Sequence, residues 1–175
     1  APSIPSNTCG SYPQATISNN GKTVSSVGSA TAISGSYSTT GNWKVCGDLV
    51  LNNDVTLTGS NVVIVIYNGD LLTNGHTIQT ASGATATIIF TGTSGSTYTH
   101  IPFTQGTIDI KSPTTGTWKG IGLYQDPNLA ADTGLNIDYA GNNPKTPVWD
   151  ISGLVYMPNA VPSGAGTDNL LPLGA

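Results

Sequence analysis

The sequence Val62-Val63-Ile64-Val65-Ile66-Tyr67 is the longest apolar stretch of the chain and decides its fold class. Five of its six residues are β-branched, which is typical of a buried strand. Similar stretches follow at Ala86–Phe90, Ile121–Tyr124 and Ile151–Tyr156. Each of the four ends in an aromatic ring, and the ends lie 23, 34 and 32 residues apart. We expect these rings to be equivalent and buried.

A second series of strands alternates apolar and polar residues between the first. Taking one aliphatic residue from each as equivalent gives steps of 21, 30 and 29 residues, for Leu57, Ile78, Ile108 and Ile137. The predicted outward neighbours are Thr58, Gln79, Asp109 and Asp138. Two series that advance together predict a parallel β-helix, or β-solenoid, because each coil adds one strand to each face. An antiparallel β-sandwich also fits short strands with frequent turns.

The predicted solenoid is a single domain over residues 1–175. We expect an irregular N-terminal cap at 1–44, coils at 45–157, and a C-terminal cap or tail at 158–175, since an open solenoid exposes strand edges. The apolar run Leu170-Leu171-Pro172-Leu173 is a candidate for capping or docking.

The composition excludes several classes of protein. The chain has 175 residues, five lysines, no arginine, nine aspartates, no glutamate, and only 8% charged residues. Nucleic-acid binding needs clustered basic residues, so we expect no nucleic-acid partner. Good helix formers are scarce, which favours an all-β fold. The chain is 37% hydrophobic, which argues against disorder, and no apolar run has the length of a membrane span.

Two cysteines, Cys9 and Cys46, permit one disulfide, and neither lies in a zinc or redox motif. A bridge between them would favour an oxidising, extracytoplasmic location, whereas two buried thiols are the alternative. The chain starts at Ala-Pro-Ser, which is typical of a mature product after removal of a signal peptide. We therefore expect a secreted or cell-surface protein.

The acidic residues offer a weak case for catalysis. A polysaccharide lyase or hydrolase would need a carboxylate pair, for which Asp109 with Asp138 is the candidate, and Asp126 with Asp132 the alternative. Asp126, Asp132 and Asp138 could supply oxygen ligands to calcium, although they match neither the EF-hand spacing nor the nonapeptide calcium repeat, so we expect no cofactor. His76 and His100 lie in different coils and form no metal site by themselves.

Two binding alternatives rest on exposed side chains. Threonines spaced two apart at 56/58, 85/87 and 97/99 suggest a flat ice-binding face, although threonine is also an ordinary strand residue. A carbohydrate-binding or adhesive module would stack sugar rings on aromatic residues of the irregular segments. The candidates for glycan contact are Tyr37, Tyr98, Trp118 and Trp149.

Three segments resemble a known family. They are residues 46–67, the stretch Ser112-Pro113-Thr114-Thr115-Gly116-Thr117-Trp118-Lys119-Gly120-Ile121-Gly122-Leu123-Tyr124-Gln125-Asp126, and Ile151-Ser152-Gly153-Leu154-Val155-Tyr156-Met157-Pro158-Asn159. Together they resemble the C-terminal repetitive, β-rich region of TadG-like proteins, which are associated with bacterial Tad (Flp) pilus systems. The resemblance implies an extracytoplasmic protein connected with surface appendages or adhesion, and it implies no catalytic residues. We expect a free-standing, secreted relative of that group.

These observations favour a non-enzymatic structural protein of a bacterial appendage or extracellular matrix. Its expected partners are further copies of itself, in a homo-oligomer or filament, or surface glycans. Low charge supports close contact between copies, because stacked like charges would repel.

Overall fold

The protein is all-β in the residues that its computed structural model describes: 2–6, 9, 15–18, 23–26, 33–34, 40–96, 100–101, 105–130, 132–135 and 148–162. These residues form strands, turns and bends, with no helix among them. Accordingly, no helix in this part of the chain has the length and apolar character needed to cross a bilayer.

The strands fall into four sheets. Sheet I has the order β15-β12-β10-β7-β4-β3, with the bounds β3 Ile33–Ser34, β4 Trp43–Cys46, β7 Val62–Tyr67, β10 Ala86–Thr91, β12 Ile121–Gln125 and β15 Leu154–Tyr156. Sheet II has the order β14-β11-β9-β6, with β6 Val55–Leu57, β9 His76–Thr80, β11 Gly106–Lys111 and β14 Val148–Ser152.

Sheet III has the order β2-β1-β5-β8, with β1 Ala15–Ser18, β2 Thr23–Ser26, β5 Leu49–Leu51 and β8 Leu71–Leu72. Sheet IV pairs β13 Asp132–Leu135 with β16 Ala160–Pro162. Two pairings are antiparallel, β1 with β2 and β3 with β4, and all the others in the described residues are parallel.

The chain visits the sheets in a repeating order. From β4 it passes through β5 and β6, in sheets I, III and II, and β7, β8 and β9 repeat that order. Each return pairs in parallel with the preceding strand of the same sheet, so that Ile64 lies opposite Trp43 and Ile88 lies opposite Ile64. One core results, because sheets I, II and III all contribute fully buried residues to the same apolar cluster.

The predicted inward residues of sheet II are buried, and the predicted register is confirmed at one step and wrong at another. Leu57, Ile78 and Ile108 are each fully buried, as expected. Ile108 lies opposite Ile78, as predicted. However, Val55 rather than Leu57 lies opposite Ile78 on its other side, and Trp149 of β14 is the next residue in register after Ile108. Side chains of a strand alternate with a period of two, so a shift of two residues keeps the same set inward and the sequence pattern does not reveal it. Ile137 lies outside the described residues.

The four aromatic strand ends are not equivalent, which corrects the sequence prediction. Phe90 lies opposite Ile66, so Tyr67 faces the outer side of sheet I while Phe90 faces the core. Tyr124 and Tyr156 are in register and stack with ring centroids 5.2 Å apart. Tyr67, Phe90 and Tyr124 are buried, but Tyr156 is 39% exposed.

At several turns an Asn or Asp side chain replaces the backbone pairing that the turn interrupts. In each case its Oδ1 accepts a backbone N–H from the next strand-turn repeat, at 2.7 to 2.9 Å: Asn42 from Val63, Asp48 from Asp70, Asp54 from Thr77, Asn68 from Thr93, and Asp70 from His100. These bonds satisfy backbone donors where consecutive repeats leave the sheets.

Candidate functional site

The outer face of sheet I is unusual. It is apolar, like the inner face of the same sheet, which packs against the core. Val65, Tyr67, Ile89 and Tyr124 form a second buried cluster there, separate from the core. An outer sheet face is usually polar, so this cluster needs a cover. Two segments supply it, the N-terminal residues 2–6 with Cys9, and the turn that contains Trp118.

The N-terminal segment is fixed to the outer face by covalent and polar contacts. Cys9 forms a disulfide with Cys46, with Cα atoms 5.8 Å apart, as the sequence predicted. The Tyr67 hydroxyl donates to the carbonyl oxygens of Pro5 and Ser6, at 2.8 and 2.9 Å. Burial raises the pKa of Tyr67, so its hydroxyl stays a donor at neutral pH. The segment is therefore held across the strand ends rather than simply resting on them.

The opposite side of the outer face is covered by the turn between β11 and β12. Trp118 is 6% exposed and meets Tyr124 edge-on, with ring centroids 5.1 Å apart. Burial is the main cause that raises the pKa of Tyr124, and Tyr156 and Asp126 raise it further. Thr87 lies fully buried beneath this region and donates to the Ile121 carbonyl at 2.7 Å.

A groove of about 420 Å³ lies between the two covering segments. The lining comes from four parts of the chain: Ser3 and Pro5; Asn42, Trp43 and Lys44; Asn61, Val63 and Val65; and Pro113 with residues 115–118. Its volume falls in the range of roughly 300–1,000 Å³ that ligand sites occupy. Val63 and Val65 form the apolar floor, while Lys44 is the one charged residue among the lining residues that the structure describes.

A second polar site lies inside the core, around His100. This residue is 1% exposed, with its ring 4.6 Å from that of Phe90 and its Nε2 2.8 Å from the amide nitrogen of Gln125. Gln125 Oε1 accepts the Asn159 backbone N–H at 2.9 Å, which fixes the amide orientation. Burial lowers the pKa of His100 to about 4, against a smaller opposing effect of a backbone hydrogen bond with Gly69. His100 is therefore neutral at physiological pH.

The structure describes two of the four residues predicted to contact a glycan, Trp118 and Trp149. The sequence predicts an exposed Trp118, but its ring is buried because the apolar outer face needs a cover. Trp149 is partly buried against the core, and its buried Nε1 has no hydrogen-bond partner among the described residues. Tyr37 and Tyr98 lie outside the described residues. The predicted threonine face is interrupted, because Thr87 is fully buried.

The carboxylates are arranged differently from the predicted pair. Asp109 lies opposite Gln79 on one side and Asp150 on the other, whereas Asp138 lies outside the described residues. Asp126 is buried, and its side chain accepts the Thr91 hydroxyl at 2.6 Å and both the backbone and side-chain N–H groups of Asn128 at 2.9 Å. In the described part of the chain, no three His, Cys, Asp or Glu side chains form a group that could hold a metal ion. The calcium ligands considered from the sequence also include Asp132 and Asp138, whose side chains lie outside the described part of the structure.

Sequence reasoning missed both the groove and the His100 site. The groove is made by segments far apart in the chain, so no local pattern marks it. The one available signal was that the strand Val62–Tyr67 does not alternate, which indicates two buried faces and thus a cover on the outer one. Comparisons of the chain with protein-family models, curated proteins and solved structures gave no match.

Proposed function

We propose that the chain is a non-enzymatic structural protein of the bacterial surface or extracellular matrix, built as a parallel β-solenoid, and that it associates with a second copy through its C-terminal end. One observation carries the self-association. The large apolar residues that are exposed in the described part of the chain, Val148, Leu154 and Tyr156, all belong to β14 and β15.

The solenoid part of the proposal rests on the strand order. Sheets I, III and II are visited in turn, and each return is parallel to the strand before it. A sandwich built from hairpins would instead pair consecutive strands antiparallel. The two antiparallel pairings, β1 with β2 and β3 with β4, involve the first strands of the chain, where a cap is expected.

The association part rests on the difference between the two ends. Sheets I and II end in β15 and β14, whose outer edges carry no strand in the described residues. Val148, Leu154 and Tyr156 are 40%, 43% and 39% exposed there. An unpaired edge with apolar side chains is a template for a further strand. Because antiparallel strands terminate sheets I and III at the other end, we expect the C-terminal ends of two copies to meet in a closed dimer.

An extracytoplasmic location is supported by the disulfide between Cys9 and Cys46, since such bonds persist in oxidising compartments. The resemblance to TadG-like proteins stays a prediction, and so does any link to pili or adhesion.

The test is the oligomeric state of the purified chain, measured by analytical ultracentrifugation across the micromolar range. Leu154→Lys should shift the equilibrium towards monomer, whereas Ser82→Lys, at an exposed turn away from β14 and β15, should leave it unchanged. Circular dichroism checks that both variants keep their strands. A monomer at all concentrations would refute the association.

Residues 163–175 are the competing occupant of the same edge. If they cover it, a chain that ends at residue 162 will associate more strongly than the full chain, and the second-copy proposal is then wrong. If a second copy covers it, removing these residues leaves the dissociation constant nearly unchanged.

A further inference from the structure

The groove on the outer face of sheet I has a chemical character of its own. Its walls come from segments that are fixed in place, one by the Cys9–Cys46 disulfide and the other by the buried Trp118 ring. A hydrogen bond joins two of the lining segments, because Asn61 Nδ2 donates to Thr115 Oγ1 at 3.2 Å. The groove is therefore a formed feature that a ligand could enter without first ordering its walls.

The charge in the groove is one-sided. Lys44 is half-buried on β4, opposite Val65, and no acidic residue is among the described residues that line the groove. The described residues provide no salt-bridge partner for Lys44. In a chain of net charge −4, a lone half-buried ammonium is a local site of attraction for an anion. One ammonium, with no arginine in the chain, matches a single carboxylate better than a doubly charged phosphate.

The remaining polar groups in the groove are neutral. They are the hydroxyls of Ser3, Thr115 and Thr117 and the amides of Asn42 and Asn61. The Asn42 Oδ1 already accepts the Val63 N–H, which leaves its Nδ2 protons to donate. Hydroxyls and amides around a small apolar floor suit a ligand that carries several hydroxyl groups and one apolar face.

The backbone of the groove argues against a peptide. An extended peptide binds a sheet by pairing with a free strand edge. In the groove, β4 and β7 are paired with each other along Trp43–Cys46, so neither offers its facing edge. Ligand recognition must therefore come from side chains, which is the usual situation for a sugar.

We propose that this groove binds a carboxylated sugar, that is, a uronic acid residue. Its carboxylate pairs with Lys44, its hydroxyls exchange hydrogen bonds with Asn42, Thr115 and Thr117, and its C–H face lies against Val63. The proposal is independent of self-association, because the groove lies on the outer face of sheet I and does not involve β14 or β15.

The test is binding of D-glucuronate and of oligogalacturonate to the full chain, followed by NMR chemical-shift titration, with D-glucose as the neutral sugar. We expect both acidic ligands to bind more tightly than glucose, and binding to weaken as salt is raised. Lys44→Met keeps the aliphatic stem and should weaken binding of the acidic ligands by about tenfold or more, because a charge-assisted contact is lost. It should leave the weaker binding of glucose unchanged.

Lys111→Met is the matched control, since Lys111 is exposed on sheet II, away from the groove. It should bind as the unchanged chain does. Equal affinity for glucose and glucuronate, or an unchanged affinity in Lys44→Met, would overturn the proposal. Tighter binding of the oligomer than of the monomer would identify a polysaccharide as the source of the uronate, and equal affinities per residue would identify the free sugar acid.

Discussion

Acidification should destabilise the fold through protonation of His100. Its ring is buried between Phe90 and the Gln125 amide, whose nitrogen lies 2.8 Å from Nε2. If His100 Nε2 carried a proton, its N–H would point at the N–H of the Gln125 amide, so that two donors would face each other. A rotated amide would present its oxygen to His100 instead, but the rotation would break the hydrogen bond from the Asn159 N–H to Gln125 Oε1. The Asp70 Oδ1 accepts the backbone N–H of His100 at 2.8 Å.

The size of the effect follows from the lowered pKa. Burial takes the pKa of His100 from 6.5 to about 4, so between these values the unfolded chain binds one proton more than the folded chain. The free energy of unfolding then falls by about 1.4 kcal/mol per pH unit, or roughly 3 kcal/mol in all, as pH falls from 6.5 to 4. Below pH 4 this residue adds no further slope, because both states are protonated.

The assay is denaturant unfolding at a series of pH values from 7 to 4, for the unchanged chain and for His100→Asn. Asparagine suits this position because His100 has a φ of 58°, a left-handed conformation that asparagine tolerates. The variant will be less stable at pH 7, but its stability should lose most of the slope. His76→Asn, at the half-buried histidine 3.7 Å from Asp54, should keep the slope. Parallel pH profiles for the unchanged chain and His100→Asn would refute the reasoning.

Three further changes have defined outcomes. Replacing Cys9 and Cys46 together by serine should lower the free energy of unfolding by about 3–4 kcal/mol, measured by guanidinium titration. It should also increase the binding of a hydrophobic dye, because the N-terminal segment covers the apolar outer face of sheet I. Equal stability before and after reduction of the disulfide would contradict this. Asn68→Ala should lower the free energy of unfolding by about 1–3 kcal/mol, measured by thermal or denaturant unfolding. The substitution removes two side-chain hydrogen bonds and places alanine at a φ of 52°. Asn68→Gly should lower it less, because glycine adopts this φ without strain. Asp150→Asn should stabilise the fold by about 0.2–1 kcal/mol, since Asp150 lies opposite Asp109, and the gain should shrink in high salt; a loss of stability would show that the two carboxylates do not repel.

The sequence by itself determined the fold class and the return of the strands. Scarce helix formers and β-branched runs such as Val62–Tyr67 fix an all-β chain, because these preferences act within a few residues. The sequence also predicted the disulfide, since two cysteines allow one pairing. The inward positions of Leu57 and Ile108 follow from alternation alone, and both are buried.

Only the tertiary structure decided the register and the outer face of sheet I. The strand Val62–Tyr67 is apolar on both sides, so its own sequence pattern does not distinguish between two registers. Which side of the sheet Tyr67 and Phe90 face therefore depends on the turns between their strands. The groove beside Lys44 and the cover that Trp118 forms depend on contacts between distant parts of the chain, such as Asn61 with Thr115. Such contacts are set by how the whole chain closes over that face, and no local preference encodes them.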